Sequence, residues 1–419
     1  VSFDVEIVVM EIIIVCLAVA ALLGIAFEEV IHLNKAKSTL FLGCISWCVL
    51  FIYASFSDRI EHMKHQLDEN LLDIASLWLF LMATMTFVAY LNARGLVSDI
   101  VSRLLPGELS LRKLTILLAL FSVILSMLCD NITATLVVLG VVQAFKLEVK
   151  ERIKLGVLLV FAVNSGGVIL ITGDVTTLMI FNANHVTIGE LLELLLPSLI
   201  GVSTLALLLT AGRNRVVTAE VNTHQIEVLD VVIALLFFTT IISTMVFNIY
   251  FGIPPVLTFL MGLSIMFMIG GLVNRYHQEV HLLEYVRQIQ FDTLLFFLGI
   301  LLIVGALKEI GVLVLITDLY FAVNPNISSF AMGVLSSFLD NVPLTAALLK
   351  AEPDLSHQQW LALTYAVGVG GSLLVIGSAS GIVAMSKMRE LTFLQYARYM
   401  PQLLVAYTVG YLAVLAFAG

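Results

Sequence analysis

Apolar residues in this chain run in long blocks, and the block lengths set the first expectation. A bilayer crossing needs about 20 apolar residues. Ten stretches approach that length: 7–27, 38–56, 74–92, 155–181, 189–211, 228–248, 254–273, 292–307, 359–385 and 392–417. Each predicts a membrane-spanning helix, and 155–181 and 359–385 carry Gly-rich interruptions. Two further apolar regions fit no single crossing. Region 113–145 is too long for one helix, and Asp130, Asn131, Thr133 and Thr135 sit in its middle. Region 328–349 is too short to cross twice and is centred on Asp340-Asn341. Each predicts a re-entrant hairpin, two short helices meeting at a polar tip inside the membrane. Such a tip is tolerated only where protein or a water-filled cavity surrounds it.

Composition agrees with the pattern. Of the 419 residues, 60% are hydrophobic and 12% charged, with mean hydropathy +1.06. Soluble domains have roughly 45–50% and 25%. The bilayer must therefore be the solvent for most of the chain. The net charge is −9, and no basic patch with interleaved aromatics points to nucleic acid. Cys16, Cys44, Cys48 and Cys129 lie in apolar stretches without zinc-like or disulfide spacing, and read as small packing residues. The chain opens at Val1 rather than Met, which suggests a preceding segment such as a signal peptide.

Lys and Arg test the crossing count. With one crossing per helical stretch and none per hairpin, Arg59, Lys64, Lys308 and Lys350 fall on one side. The other side holds the remaining 17 of the 21. That asymmetry is a positive-inside signal. It places both termini outside, with the first hairpin entering from the cytoplasm and the second from outside.

The chain also repeats itself. Ser126-Met-Leu-Cys-Asp130-Asn131-Ile-Thr-Ala-Thr135 aligns with Ser336-Ser-Phe-Leu-Asp340-Asn341-Val-Pro-Leu-Thr345. Gly166-Gly167 through Gly173-Asp174 aligns with Gly370-Gly371 through Gly377-Ser378, and Thr176 with Ser380. Upstream, Leu81 through Gly95 resembles Phe297 through Gly311. Three matches in one order predict an all-α polytopic membrane protein of two inverted repeats, a transporter architecture. The expected division is scaffold helices at 1–60 and 216–275, with repeat elements at 61–215 and 276–419. The first repeat holds a hairpin (112–147) and a broken helix (155–183); the second holds a hairpin (326–350) and a broken helix (359–388). The broken elements would form the transport core, and the intact helices a scaffold and dimer interface.

An ionised Asp in hydrocarbon costs several kcal/mol, so an intramembrane carboxylate points to function. Asp130, Asp174 and Asp340 all fall at predicted breaks. Asn131, Asn341 and Asn164 supply amide oxygens. Thr135, Thr176, Thr345, Ser378 and Ser380 supply hydroxyls, with Ser126, Thr177, Ser336 and Ser372 as further candidates. Hard cations such as Na⁺ want oxygen ligands, and carboxylates also bind protons. Competition for one carboxylate, combined with alternating access, is antiport. Asp130 and Asp340 are the expected sites of ion binding and proton exchange, and Asp174 a third carrier or network partner. A lone Asp at a helix start also serves as a cap, but three at paired breaks exceed that need. Asp292 opens the ninth span and either reaches the core or anchors at the interface. Glu11, Glu28 and Glu29 border the first span and read as interfacial. The acidic segment 57–73 reads as a solvated face. His32, His62, His65, His185, His224, His277, His281 and His357 fall in predicted loops, and none stands out as a pH sensor.

These motifs resemble the NhaD-type sodium/proton antiporters of the ion transporter superfamily. The resemblance begins at Glu28-Glu29-Val-Ile-His32 and runs through the Asp130-Asn131, Asn164-Ser-Gly-Gly167, Gly173-Asp174-Val-Thr176-Thr177, Asp340-Asn341 and Gly370 to Ser380 segments. It implies export of Na⁺ or Li⁺ coupled to proton entry, at the inner membrane of a bacterium. The wider superfamily implies a homodimer whose transport core slides like an elevator. Ser76 and Ala89 stand where the family often has acidic residues, and Ser76 is the repeat counterpart of Asp292. Ile169-Leu-Ile-Thr172 stands where relatives often have Trp-Thr-Pro-Ile. The rival reading is a sodium-coupled di- or tricarboxylate symporter, or an arsenite transporter, of the same architecture. Helix N-termini at the breaks would favour anions, whereas the three Asp would repel them. No His-rich metal cluster, Gly-x-Ser-x-Gly elbow or phosphate loop suggests an enzyme. No cofactor is expected beyond the transported ions.

Overall fold

A computed structural model describes residues 2–26, 34–56, 59–95, 108–210, 215–218, 227–276, 282–289, 291–312, 318, 320–338 and 341–418. Asp340, Glu28, Glu29, His32, Asp58, His224, His277 and His281 lie outside the described residues. In chain order the helices are α1 (Ser2–Ala26), α2 (Lys35–Phe56), α3 (Ile60–Ala93), α4 (Leu111–Leu128), α5 (Asn131–Ala144), α6 (Val149–Gly167) and α7 (Val175–Asn182). There follow α8 (Ile188–Leu192), α9 (Leu195–Thr210), α10 (Val228–Phe251), α11 (Pro255–Tyr276), α12 (Glu284–Arg287) and α13 (Phe291–Glu309). The last are α14 (Pro325–Ser336), α15 (Asn341–Ala351), α16 (His357–Gly370), α17 (Ala379–Lys387), α18 (Phe393–Ala397) and α19 (Met400–Phe417). Among the described residues, eight helices are long and apolar enough to cross a membrane, and the chain is a multi-pass membrane protein.

Two packed groups emerge. In the first, α1, α2, α3, α10, α11, α12 and α13 pack together. Its closest crossing is α2 on α13. A Cβ on Gly299 would lie 2.3 Å from the Leu40 nitrogen, so the backbones touch where small residues meet. The Trp47 indole donates to the Leu302 carbonyl at 2.9 Å, and the Trp78 indole to the Leu294 carbonyl at 2.8 Å. These bonds satisfy indole N–H groups that would otherwise be stranded in an apolar medium. Near the far end of α3, the buried Asp230 accepts from Tyr90 at 2.6 Å and from Arg94 Nε at 2.7 Å, fastening α3 to α10. The second group comprises α4 to α7, α9, α14 to α17 and α19. There, Tyr407 and Tyr411 on α19 donate to the Phe330 and Asn326 carbonyls of α14. The two groups meet chiefly where α13 packs on α15.

Several elements differ from the sequence pattern. Helix α3 begins at Ile60, so the acidic stretch expected as a solvated face belongs to the same 34-residue helix as the span, and it is mostly exposed up to Asp73. No Gly or Pro interrupts it, and Asn70, Asp73 and His62 all find partners on other elements. His62 and His65 are thereby helical rather than in a loop. Short strands Glu108–Ser110 and Val216–Thr218 pair antiparallel in an otherwise helical chain and tie the start of α4 to the segment beyond α9. The first arm of the expected 112–147 hairpin, Leu111–Leu128, is itself long and apolar enough to be a span. Cys16, Cys44 and Cys48 lie exposed on outer helix faces, and only Cys129 is buried. The first three therefore do not fill the interior of the chain.

Candidate functional site

The polar residues at the helix breaks converge through helix capping. Asp130 ends the turn after α4 and caps α5. Its carboxylate accepts from the Ile132 and Thr133 amides at 3.1 and 3.0 Å, and from the Thr133 hydroxyl at 2.8 Å. Asp174 caps α7 and accepts from the Thr176 amide at 3.2 Å. Ser378 caps α17 and accepts from the Gly381 amide at 3.3 Å. Each cap sits at the positive end of a helix dipole, which stabilises negative charge there.

Asp174 is the hub. Its Oδ2 accepts from Asn131 Nδ2 at 2.9 Å and from Asn341 Nδ2 at 3.1 Å. Two amides 210 positions apart in the sequence thus point at one oxygen. Asn131 is oriented by the Ser126 hydroxyl, which donates to its Oδ1 at 2.7 Å. Thr135 and Thr345 donate back to the Asn131 and Asn341 carbonyls at 2.7 and 2.8 Å, so their hydroxyls serve the helices rather than the site. Close approach of glycines makes this possible. A Cβ on Gly167 would lie 2.5 Å from Asn131 Oδ1, and one on Gly166 would lie 2.4 Å from the Val123 carbonyl. In the other half, a Cβ on Gly370 would lie 2.2 Å from the Gly333 carbonyl.

A second polar cluster lies nearby. Asn164 Nδ2 donates to the Ser380 and Ser378 hydroxyls at 2.6 and 3.2 Å and to the Val160 carbonyl at 2.7 Å. All three side chains are buried. The Asn164 Oδ1 and Thr176 Oγ1 atoms are buried with no partner among the described residues. Of the remaining candidates, Thr177, Ser336 and Ser372 donate to the Gly167, Val367 and Val369 carbonyls, and so brace the breaks.

A cavity of about 260 Å³ opens beside the hub, lined by Asp130, Asn131, Asp174, Asn341 and Asp292. Asp292 is exposed at the N-terminus of α13 and accepts from Asn34 at 3.1 Å. Asn34 was not singled out by the sequence, and Thr133, which grips Asp130, was named there only as a polar residue of the hairpin. An Asp just ahead of a helix start is the N-cap signal that points to groups two and three residues on. A larger cavity, about 700 Å³, opens at the other end of α13, lined by Asp73, Ser76, His185, Lys308, Lys350 and Glu352. Asp292 and Lys308 are separated by about 24 Å of helix, and each lines a different cavity. Between them, Phe297 faces one cavity and Leu301, one turn on, the other. In the larger cavity, Lys350 pairs with Asp73 and Lys308 with Glu352, at 2.8 and 2.7 Å. The Lys308 ammonium holds the Glu352 carboxyl below its usual range, against partial burial. Burial lowers the His185 pKa, since the imidazole stacks on Trp360 at a 3.9 Å centroid distance.

A family model described as citrate transporter (CitMHS) matches residues 5–370. The chain is 30% identical to the Na⁺/H⁺ antiporter NhaD of Vibrio cholerae, over 92% of this chain and 87% of that protein. It is likewise 30% identical to NhaD of Alkalimonas amylolytica, over 94% and 88%. Sodium/proton antiporter 1 of Arabidopsis thaliana is 29% identical, over 94% of this chain and 70% of its own length.

Proposed function

We propose a function from one plain premise: the chain belongs to the CitMHS citrate-transporter family and to the NhaD-type antiporters. Its function on this reading is secondary active exchange of Na⁺ or Li⁺ for protons across a bacterial inner membrane. The observation that carries it is the convergence of Asn131 and Asn341 on the Asp174 carboxylate, beside a cavity that Asp130 also lines. A carboxylate with amides of adjustable orientation can hold a desolvated cation through oxygen atoms. In the cation's absence it can take a proton, or accept from the amide N–H groups. Na⁺ and H⁺ therefore compete at Asp174, with Asp130 and Asp340 as further acidic partners. Asn164, Thr176, Ser378 and Ser380 form a neutral set beside it.

The two cavities support alternating access. They are separated by about one helical turn of apolar packing, at Phe297 to Leu301 on α13 and Val342 to Ala346 on α15. On this reading the halves are inverted repeats, the α4–α5 and α14–α15 pairs are re-entrant hairpins, and both termini lie outside. The group around α4 to α9 and α14 to α19 slides past the group around α13, within a homodimer. The basic-rich side is cytoplasmic, so the cavity beside Asp174 faces inward.

The family description also names citrate, and helix N-termini at the breaks would suit an anion. Those N-termini, however, already carry the carboxylates of Asp130 and Asp174, and Asp292 guards the cavity mouth. A tricarboxylate would meet three negative charges. The test is reconstitution in vesicles with an acid interior, followed by external Na⁺, Li⁺, K⁺, citrate or succinate. Na⁺ or Li⁺ is expected to drive proton release and the anions to do nothing. Anion uptake without cation-driven proton release would overturn the reading.

A further inference from the structure

We infer that the protein carries a binding site for the phosphodiester headgroup of an anionic phospholipid, formed by Lys150, Lys154 and Arg398 between α6, α9 and α19. These three cations line one cavity of about 740 Å³, together with Gln395, Tyr399 and Gln402. Among the described residues, no carboxylate lines it. Lys150 is exposed and has no partner among the described residues. The Lys154 ammonium makes one bond, to the Leu209 carbonyl at 2.8 Å, and keeps two N–H groups for another acceptor. Arg398 donates from Nη1 to Gln395 at 3.3 Å, which leaves most of its guanidinium fork unengaged. On the other side of the lysines, Glu148 and Glu151 line an adjoining cavity with Lys150 and Lys154, where Glu151 pairs with Arg215; Glu390 pairs with Arg152.

Position selects the ligand. The cavity lies where one span ends at Thr210 and another begins at Met400, which is the depth of lipid phosphates. Its apolar walls are Val149, Ile153, Leu208 and Leu209. Leu207, Leu394 and Val405 are exposed next to it on the same elements, a surface suited to acyl chains. Basic pockets between spans at this depth hold anionic headgroups. Helix α18 connects the site to the breaks, because Tyr396, two residues before Arg398, donates to the Ser372 carbonyl. The inference does not depend on which ion is carried.

Native mass spectrometry of the purified full chain with added phosphatidylglycerol or phosphatidylcholine tests it. Phosphatidylglycerol is expected to be retained at least about tenfold more strongly. The Lys150→Gln, Lys154→Gln, Arg398→Gln triple variant is expected to lose that preference. A control triple at exposed positions, Lys113→Gln, Lys387→Gln and Arg389→Gln, is expected to keep it. Equal loss in both triples would mean diffuse surface charge and would overturn the site. Full competition by inorganic phosphate at equal concentration would assign the cavity to a soluble anion and overturn the lipid. Should the triple fail to fold, Lys150→Gln and Arg398→Gln singly carry the test, and unchanged retention in both refutes it.

Discussion

Replacing Asp174 by Asn removes one charge and keeps the volume. The carboxylate accepts from Asn131, Asn341 and the Thr176 amide. Hydrogen bonds to charged groups contribute about 1.5–3 kcal/mol each. The substituted amide keeps one oxygen, so either the Thr176 amide or the two Asn donors that share Oδ2 would face an N–H group. That loss is offset by no longer burying an ion, so stability should change by no more than about 2 kcal/mol. Transport is another matter. A unit charge about 4 Å from a bound cation contributes about 4 kcal/mol at an effective dielectric of 20. That is roughly a thousandfold in affinity, and partial relief of desolvation still leaves about a hundredfold. Everted vesicles with a proton-gradient dye, titrated with NaCl from micromolar to molar, measure this directly. Thermal unfolding in detergent separates it from misfolding. A folded Asp174→Asn variant with half-saturating Na⁺ within about threefold of the parent would refute the assignment.

Other expectations follow from the same contacts. Asn caps helices about as well as Asp, so Asp130→Asn should fold normally, and any loss of exchange in vesicles reports charge alone. Normal exchange would reduce Asp130 to a cap. Gly166→Ala drives a Cβ into the Val123 backbone and should lower stability by about 1–3 kcal/mol in denaturant titration. Asp73→Cys with Lys350→Cys, in a background lacking the four native cysteines, should be joined by a reducible bifunctional thiol cross-linker that stops exchange until it is cleaved. Exchange undiminished in the cross-linked protein would show that α15 does not slide past α3. His185 has a folded pKa below the ordinary 6.5, because burial disfavours its charged form. Its neutral form therefore leaves stability intact above 6.5. Stability falls as pH drops from there towards the folded pKa, where the unfolded chain binds the extra proton. His185→Phe should flatten the melting temperature across that window, and an unchanged slope would assign it to another group.

Much of the candidate site was legible in the sequence because hydrocarbon makes charge expensive. Asp130, Asp174 and the Gly166-Gly167 pair stand out against an apolar background, and the second copy of the motif removes chance as an explanation. Seven of the ten expected spans, all but 7–27, 155–181 and 359–385, match helices long and apolar enough to cross, since block length follows bilayer thickness. Partner choice was not legible. Repeat alignment pairs Asn341 with Ser378 as it pairs Asn131 with Asp174, yet Asn341 turns to Asp174. The amide follows the charge, and only one of the two equivalent positions carries one. The extension of α3 to Ile60 depended on partners for Asn70 and Asp73 on other elements, which no local pattern supplies. The Tyr90, Arg94 and Asp230 cluster and the Lys150, Lys154 and Arg398 cavity each join residues far apart in the sequence. The sequence by itself determined which residues must leave the lipid and where helices break, because those are properties of single positions. The tertiary structure decided which of them share an oxygen, a cavity or a surface, because that depends on how separate helices cross.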